Sequence, residues 1–184
     1  MDFALPADLS AYLDELDAFI EREISPLEAE NDNIRFFDHR REDARTDWDR
    51  GGLPNHEWEL LLREARRRAD AAGHYRFPYP KEYGGKDGSN LAMAVIREHL
   101  ATRGLGLHND LQNEHSIVGN NVGLLLMLHY GSEEQKADWI DDLLNGRKFF
   151  AFGITEPDHG SDATHMETNA VRDGDEWVIN GEKT

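Results

Sequence analysis

The chain has 184 residues, 39% of them hydrophobic, no cysteine, and 37 acidic against 20 basic residues, which gives a net charge of −17. This length provides a core for one large domain, or for one domain and part of a second. The absence of cysteine excludes disulfides and, with no targeting leader in MDFALPADLS, predicts a cytoplasmic protein. No apolar run approaches the roughly 20 residues of a membrane span, and the negative charge opposes nucleic-acid binding.

The first half of the chain has the periodicity of amphipathic helices. Residues 8–24 carry an apolar stripe, and Ser25, followed by proline, is the predicted cap of a second short helix. Residues 31–54 are charged and show little periodicity, so we expect a mostly exposed connection. Asn55 is the expected cap of the next helix. Its apolar face comprises Trp58, Leu61, Leu62, Ala65, Ala69 and Ala72.

Further helices are delimited by capping residues and glycines. Residues 89–104 predict a third helix, which begins at a serine cap and ends at glycine. An apolar segment over residues 110–130 predicts a fourth, interrupted by Gly119 and Gly123, where another helix packs closely or a ligand approaches. The SEEQ sequence at residues 132–135 is a capping box and opens the last helix of this region.

The hydrophobic period then changes from 3.6 to 2. Residues 148–154, KFFAFGI, predict a buried strand, and residues 168–181 predict a hairpin with a type I′ turn at its Asp-Gly pair. The expected fold class is therefore α+β. An N-terminal all-α domain occupies residues 1–146, and residues 147–184 are the first strands of a β-barrel-like domain. We expect this second domain to be incomplete, because a final Asn-Gly turn signal calls for a returning strand.

A metal site is one hypothesis for the stretch FFAFGITEPDHGSDATHMET. Glu156 and His159 have the Glu-x-x-His spacing that on a helix directs two ligands to one ion. Pro157 between them opposes a helix, and no second Glu-x-x-His occurs in the chain. His108 and His115 could share a helical face, but their spacing is typical of ordinary hydrogen-bonded histidines. No metal site is predicted.

The residues of this stretch also do not match a serine hydrolase or a Rossmann dinucleotide site. Ser161 does not lie in the Gly-x-Ser-x-Gly elbow of serine hydrolases, and no Gly-x-Gly-x-x-Gly follows a strand. Gly160 would let the backbone approach a ligand, while the hydroxyls of Thr155 and Ser161 could donate hydrogen bonds. From the residues alone, a cradle for a nucleotide-like cofactor and a polar loop at a domain junction both remain open.

Four ordered blocks resemble one protein family. FGITEPDHGSD resembles the flavin-contacting signature of acyl-CoA dehydrogenases, and YPKEYGG resembles the family's Gly-Gly loop. HYGSEEQKADWIDDLLNGRKF is similar to the helix that leads into the family's β-domain, and DGDEWVINGEKT to the hairpin after it. The resemblance implies an α-domain, a β-barrel-like middle domain and a C-terminal four-helix domain, of which the first and about a third of the second are present.

The resemblance also implies FAD as the cofactor and assigns its contacts to one loop. Phe152 and Ile154 would lie along the flavin ring with their backbones on its pyrimidine edge, and the Thr155 hydroxyl would lie near the N5/O4 side. Gly160 and Ser161 would approach FAD and the acyl-CoA thioester arm, with Ser161 as the substrate contact. The predicted cofactor-binding residues are Phe152, Gly153, Ile154, Thr155, Glu156, Pro157, Asp158, His159, Gly160 and Ser161. The sequence departs from the family pattern at Gly153, Asp158 and His159.

In the family, a carboxylate removes the α-proton of an acyl-CoA while the β-hydrogen leaves as hydride to the flavin, giving trans-2-enoyl-CoA. The resemblance thus implies an oxidoreductase of fatty acid β-oxidation, with electron-transfer flavoprotein as electron acceptor and a homodimer or homotetramer as the assembly. The catalytic glutamate belongs to the C-terminal domain, so we expect no catalytic residue here, a structural role for Glu156 and no activity of this chain alone. The alternatives are a flavin monooxygenase or acyl-CoA oxidase of the same fold, and a non-catalytic helical interaction module.

Overall fold

The structure is a computed structural model that describes residues 4–109, 116–119, 121–148 and 150–184. The chain divides into two compact units, Met1–Leu125 and Leu126–Thr184. The helices are α1 (Ala7–Phe19), α2 (Ser25–Ala29), α3 (His56–Ala71), α4 (Asn90–Thr102), α5 (Val122–Tyr130) and α6 (Glu133–Leu144). The strands are β1 (Thr46–Asp47), β2 (Leu53–Pro54), β3 (Asn169–Asp173) and β4 (Glu176–Asn180).

The predicted apolar stripes form the core of the first unit, except that Ala72 is exposed just after the end of α3. The stripe of α1 packs with those of α3 and α4, because each helix returns an apolar side chain to the same face every three or four residues. Burial of each large side chain contributes about 1.5–3 kcal/mol. The buried members are Leu9, Tyr12, Leu13, Leu16 and Phe19 from α1, Trp58, Leu61, Leu62, Ala65 and Ala69 from α3, and Ile96 and Leu100 from α4.

The second short helix begins at Ser25 with proline in its first turn, as predicted, but the predicted capping role of Ser25 is wrong. The Ser25 side chain caps nothing, and a π-helical turn over Ile20–Ile24 connects α1 to α2 without a gap. Pro26 lacks an N–H group and its ring crowds the preceding turn of an α-helix. The wider π turn before Pro26 is compatible with this, so α2 follows α1 along one helical path and does not start after a break.

The charged connection over residues 31–54 is mostly exposed, as predicted, but it also contributes Phe36 to the core. It folds into two runs of 3₁₀ turns, Glu30–Phe37 and His39–Arg45, and the short antiparallel pair of β1 and β2. Phe36 is buried, and its ring centroid lies 5.2 Å from that of Trp58 on α3. Short 3₁₀ turns do not produce a 3.6-residue stripe, which is why the pattern conceals this contribution to the core.

The caps predicted for α3, α4 and α6 are confirmed. The Asn55 side chain accepts from the Glu57 N–H, and Ser89 accepts from the Ala92 N–H. Ser132 and Gln135 bond each other's backbone N–H groups in a complete capping box. Each of these side chains satisfies a helical N–H that has no partner within its own helix.

The predicted fourth helix begins later than expected. Residues 116–119 are not helical, and α5 starts at Val122; residues 110–115 of the prediction, including His115, lie outside the described part of the chain. A Cβ at Gly119 would lie 2.8 Å from the Tyr75 carbonyl oxygen, so of the two explanations for this glycine the structure supports close packing. His108 is buried, and its Nε2 lies 3.3 Å from the Leu100 carbonyl oxygen.

The second unit contains the predicted hairpin, but not the predicted strand. Strands β3 and β4 pair from Asn169↔Asn180 to Asp173↔Glu176, so the loop is Gly174-Asp175. Of these two residues only Gly174 has positive φ, 62°, which differs from the predicted type I′ turn, where both residues do. Residues 148 and 150–154 form no strand, since no other described strand pairs with them; Phe149 lies outside the described residues.

A buried histidine makes the first unit sensitive to acid. His74 Nδ1 lies 3.2 Å from the Tyr12 hydroxyl, and its ring packs against Phe19 at a centroid distance of 4.7 Å. Burial lowers the pKa of His74 below its ordinary value of 6.5, against the opposing effect of Glu15. Unfolding restores the ordinary pKa, so the unfolded chain binds a proton that the folded chain does not.

The unfolding free energy is therefore expected to fall as the pH drops below about 6.5, by at most about 1.4 kcal/mol per pH unit for this group, and to be independent of His74 above that value. Urea unfolding between pH 5 and 8 measures the dependence. His74→Gln should reduce the slope, whereas His56→Gln, at an exposed position on α3, should preserve it. Equal slopes in all three proteins would contradict the assignment.

Across the described residues, every helix is too short or too polar to traverse a lipid bilayer.

Candidate functional site

The signature loop, residues 152–161, turns tightly about one backbone pair. The Glu156 N–H donates to the His159 carbonyl oxygen at 2.9 Å, and the His159 N–H donates to the Glu156 carbonyl oxygen at 3.2 Å. Pro157 suits this turn because its fixed φ favours the first central position. The turn is not a helix, so Glu156 and His159 do not have the geometry that the metal hypothesis required.

Glu156 is the buried centre of the loop, with 5% of its surface exposed. Its two carboxylate oxygens accept from the backbone N–H groups of Glu167 at 2.7 Å and Thr168 at 3.0 Å. One oxygen also lies 2.9 Å from the Lys183 ammonium. The Thr168 hydroxyl, the Glu167 N–H and the Lys183 ammonium hold the pKa of Glu156 well below its ordinary value of 4.5, because all three stabilise the charged form.

Lys183 and Thr184 return to the start of the loop. Besides Glu156, the Lys183 ammonium donates to the Ile154 carbonyl oxygen at 3.0 Å and lies 3.4 Å from the Met166 sulfur. The Thr184 N–H donates to the Thr155 carbonyl oxygen at 3.0 Å. Two consecutive residues at the end of the sequence thus bind two consecutive carbonyl groups of the signature loop.

The same segment is exposed and, among the described residues, carries donors without a partner. Phe152 and Ile154 are 54% and 46% exposed. Within the described part of the chain, the N–H groups of Ile154 and Thr155 and the hydroxyls of Thr155 and Ser161 donate to no other group. Apolar side chains beside unpaired donors suit a flat heteroaromatic ligand with acceptors on its edge.

The glycines of the loop leave space for a ligand. A Cβ built at Gly153 or at Gly160 would meet no atom within 4 Å, and neither residue has positive φ. The fold of the described residues therefore does not itself require glycine at either position. A ligand that approaches the backbone closely would provide that requirement.

Two histidines lie at the exposed edge of the loop. The rings of His159 and His165 stack with centroids 6.3 Å apart, and His165 pairs with Asp162. His159 Nε2 lies 3.7 Å from a Glu167 carboxylate oxygen. Among the residues with described positions, no three histidine or acidic side chains are placed to share one metal ion.

Comparison with known proteins decides the family. The model of "Acyl-CoA dehydrogenase, N-terminal domain" matches residues 6–147, and that of "Acyl-CoA dehydrogenase, middle domain" matches residues 151–184. The chain belongs to the acyl-CoA dehydrogenase family. The resemblance inferred from the four sequence blocks is thus confirmed.

Three of the similar proteins match nearly the whole of this chain. It is 30% identical over 186 residues to glutaryl-CoA dehydrogenase of Desulfococcus multivorans, covering all of this chain and 41% of that protein. A solved putative acyl-CoA dehydrogenase from Mycobacterium abscessus superposes with a TM-score of 0.66 at 29% identity, over 98% of this chain and 42% of the other. A chain in a structure described as the electron transferring flavoprotein of Acidaminococcus fermentans superposes with a TM-score of 0.55 at 26% identity, over 100% and 40% of the two chains.

These comparisons confirm the predicted fold class, a helical N-terminal domain followed by the beginning of a middle β-domain. The chain spans well under half the length of the relatives it matches. The predicted domain boundary at residue 146 and the predicted cofactor contacts remain predictions.

The motif predicts the loop, whereas Lys183 is not among the predicted site residues. The only local signal was the Asn180-Gly181 turn, which predicts that the chain returns toward an earlier segment. Gly181 has φ 154°, and a Cβ there would lie 2.2 Å from the Thr168 hydroxyl oxygen, so the turn packs directly against residues that bind Glu156. The contact between Lys183 and Glu156 joins residues 27 apart, and no local spacing encodes it.

Proposed function

We propose that the protein is an FAD-dependent oxidoreductase that converts acyl-CoA thioesters to trans-2-enoyl-CoA, and that residues 152–161 form one wall of its flavin site. The observation that carries the proposal is the pair of N–H groups at Ile154 and Thr155, which find no acceptor among the described residues and lie beside exposed Phe152 within the family's signature loop. The pyrimidine edge of a flavin presents carbonyl and ring-nitrogen acceptors, and its ring system has an apolar face. The donor set and the apolar side chains fit both features.

Each residue of the wall has a definite part in this proposal. The Ile154 and Thr155 N–H groups and the Thr155 hydroxyl orient the ring, and the side chains of Phe152 and Ile154 keep water from its face. Ser161 donates to the cofactor or to the thioester arm of the substrate. FAD, when bound, supplies the acceptor for the hydride that leaves the β-carbon. The protein contributes alignment of the reacting atoms.

Glu156 does not act as the general base. A base that removes a proton near neutral pH needs a pKa near the working pH and access to the substrate. Glu156 is buried, its oxygens are already engaged, and its pKa is lowered. By resemblance to the family, the proposal assigns the α-proton to a glutamate of the family's C-terminal domain, and the 184 residues alone are expected to be inactive.

The wider setting is part of the same proposal and rests on the family. The substrate is an acyl-CoA, the electron acceptor is electron-transfer flavoprotein, the assembly is a homodimer or homotetramer, and the process is cytoplasmic fatty acid β-oxidation.

Anaerobic titration of the complete purified gene product with a panel of acyl-CoA thioesters tests the proposal. We expect stoichiometric FAD that is bleached by at least one acyl-CoA and reoxidised by electron-transfer flavoprotein. Rapid peroxide formation in air would instead favour an oxidase. A flavin-free protein, or a flavin that no acyl-CoA reduces, would contradict the proposed reaction.

The variant Gly160→Ala tests whether glycine is needed here for ligand binding and not for folding. The new methyl group meets no atom of the chain, so the unfolding free energy should stay within about 0.5 kcal/mol of the wild type. It would intrude on a closely bound cofactor, and FAD or acyl-CoA binding should weaken by about tenfold. Isothermal titration measures the binding, and denaturant unfolding of the apoprotein measures the stability.

Gly174→Ala is the matched control, because Gly174 lies in the hairpin turn with φ 62° and open space around it. It should lower the stability by about 1 kcal/mol through backbone strain and leave ligand affinity unchanged. Unaltered binding in Gly160→Ala would mean that no ligand approaches this glycine.

A further inference from the structure

Lys183 holds the one carbonyl group that sets the direction of the Thr155 N–H. The Ile154 carbonyl oxygen lies 3.0 Å from the Lys183 ammonium, and the Ile154–Thr155 peptide bond is trans. In a trans peptide unit the carbonyl and the following N–H are coplanar and point in opposite directions. The Thr155 N–H therefore points away from Lys183, and no acceptor among the described residues takes it.

The ammonium is itself fixed in place. Glu156 binds it at 2.9 Å and is held in turn by the N–H groups of Glu167 and Thr168. The next peptide unit is also fixed, because the Thr155 carbonyl accepts from the Thr184 N–H and the Glu156 N–H donates to His159. The path from Thr168 through Glu156 and Lys183 to Ile154 is a continuous series of hydrogen bonds that ends at a free donor.

We propose that Lys183 is a positioning residue, whose ammonium, anchored by Glu156, orients the Ile154–Thr155 peptide so that the Thr155 N–H is presented to the flavin. This inference rests on the proposed function, since it takes the flavin as the acceptor. Lys183 itself touches neither cofactor nor substrate in this assignment. It acts through the peptide, as the supporting group of a site that needs fixed geometry.

The test compares four variants of the complete gene product. Lys183→Met keeps the length of the side chain without its charge, and Lys183→Arg keeps the charge. Because Lys183→Met leaves the charge of buried Glu156 unpaired and could prevent folding, the double variant Glu156→Gln/Lys183→Met removes both charges while retaining one oxygen that can accept the N–H group of residue 167 or of residue 168. Lys136→Met, which breaks an exposed pair with Glu133 on α6, is the control for charge.

Loss of one hydrogen bond to the flavin corresponds to roughly a three- to tenfold rise in the dissociation constant of FAD. We expect this rise, together with a more negative flavin reduction potential, in Lys183→Met and in the double variant, partial recovery in Lys183→Arg, and no change in Lys136→Met. A structural role alone would lower stability without moving the potential. The apoprotein gives a readout without flavin, since amide exchange at Thr184 should accelerate when Lys183 no longer fixes the Ile154 carbonyl.

The possible failures are distinguishable. If the wild type binds FAD and the Lys183 variants retain its affinity and potential, the positioning role is overturned and the proposed function stands. If the wild type binds no FAD, the proposed function fails and the positioning role fails with it. In that case faster exchange at Thr184 would still show that Lys183 fixes this backbone.

Discussion

Gly85→Ala is expected to reduce the unfolding free energy of the first unit by about 3 kcal/mol or more, or to prevent its folding. A Cβ at Gly85 would lie 1.8 Å from the Tyr79 carbonyl oxygen and 2.7 Å from that of Arg76. Both obstacles are backbone atoms. They cannot move aside easily, because the N–H groups of residues 85–88 bond the carbonyls of Phe77, Tyr79 and Pro80.

Urea unfolding followed by circular dichroism measures this effect. Gly73→Ala is the control within the same unit, since a Cβ there meets no atom within 4 Å and the only penalty is a φ of 80°. It should cost about 1 kcal/mol. Equal losses in the two variants would show that the close approach at Gly85 does not exist in solution.

Glu156→Gln is expected to lower the unfolding midpoint of the second unit by about 4 °C or more at neutral pH. Glutamine keeps one acceptor oxygen but loses the charge that binds Lys183 and the second oxygen that accepts an N–H. The folded-state pKa of Glu156 lies below its ordinary value of 4.5, so its contribution is complete above that pH and declines as the pH falls below it.

Thermal unfolding between pH 3 and 7 checks the sign. The difference between wild type and Glu156→Gln should narrow below about pH 4.5, where Glu156 of the unfolded wild type begins to bind a proton while the folded protein still holds the carboxylate charged. Glu182→Gln, at an exposed position in the same unit, should have the unfolding midpoint of the wild type at every pH in this range. A difference that does not change with pH would mean that the charge of Glu156 is unimportant.

The parts of the fold that the sequence predicts are those specified by local periodicity and local hydrogen bonds. The stripe through Leu9, Leu16 and Phe19 defines the buried face of α1, and the Ser132–Gln135 box defines the start of α6. The β3–β4 hairpin follows from a strong turn signal between two alternating segments.

The parts that the sequence misses depend on partners distant along the chain. Residues 148–154 have the composition of a strand, but a strand requires a neighbouring strand, and the described chain provides only Lys183 and Thr184 against Ile154 and Thr155. Phe36 is buried by Trp58 although its own segment shows no stripe. The signature motif predicts that Glu156 lies in the loop. The groups that bind its carboxylate belong to residues distant along the chain, so the motif does not predict them.

A crystal structure of the complete gene product grown with FAD would show whether residues 152–161 form one wall of a flavin site. We expect the flavin ring to lie against Phe152 and Ile154, with an acceptor of its pyrimidine edge within about 2.7–3.2 Å of the Thr155 nitrogen. FAD bound elsewhere, with Phe152 and Ile154 still exposed to solvent, would contradict it.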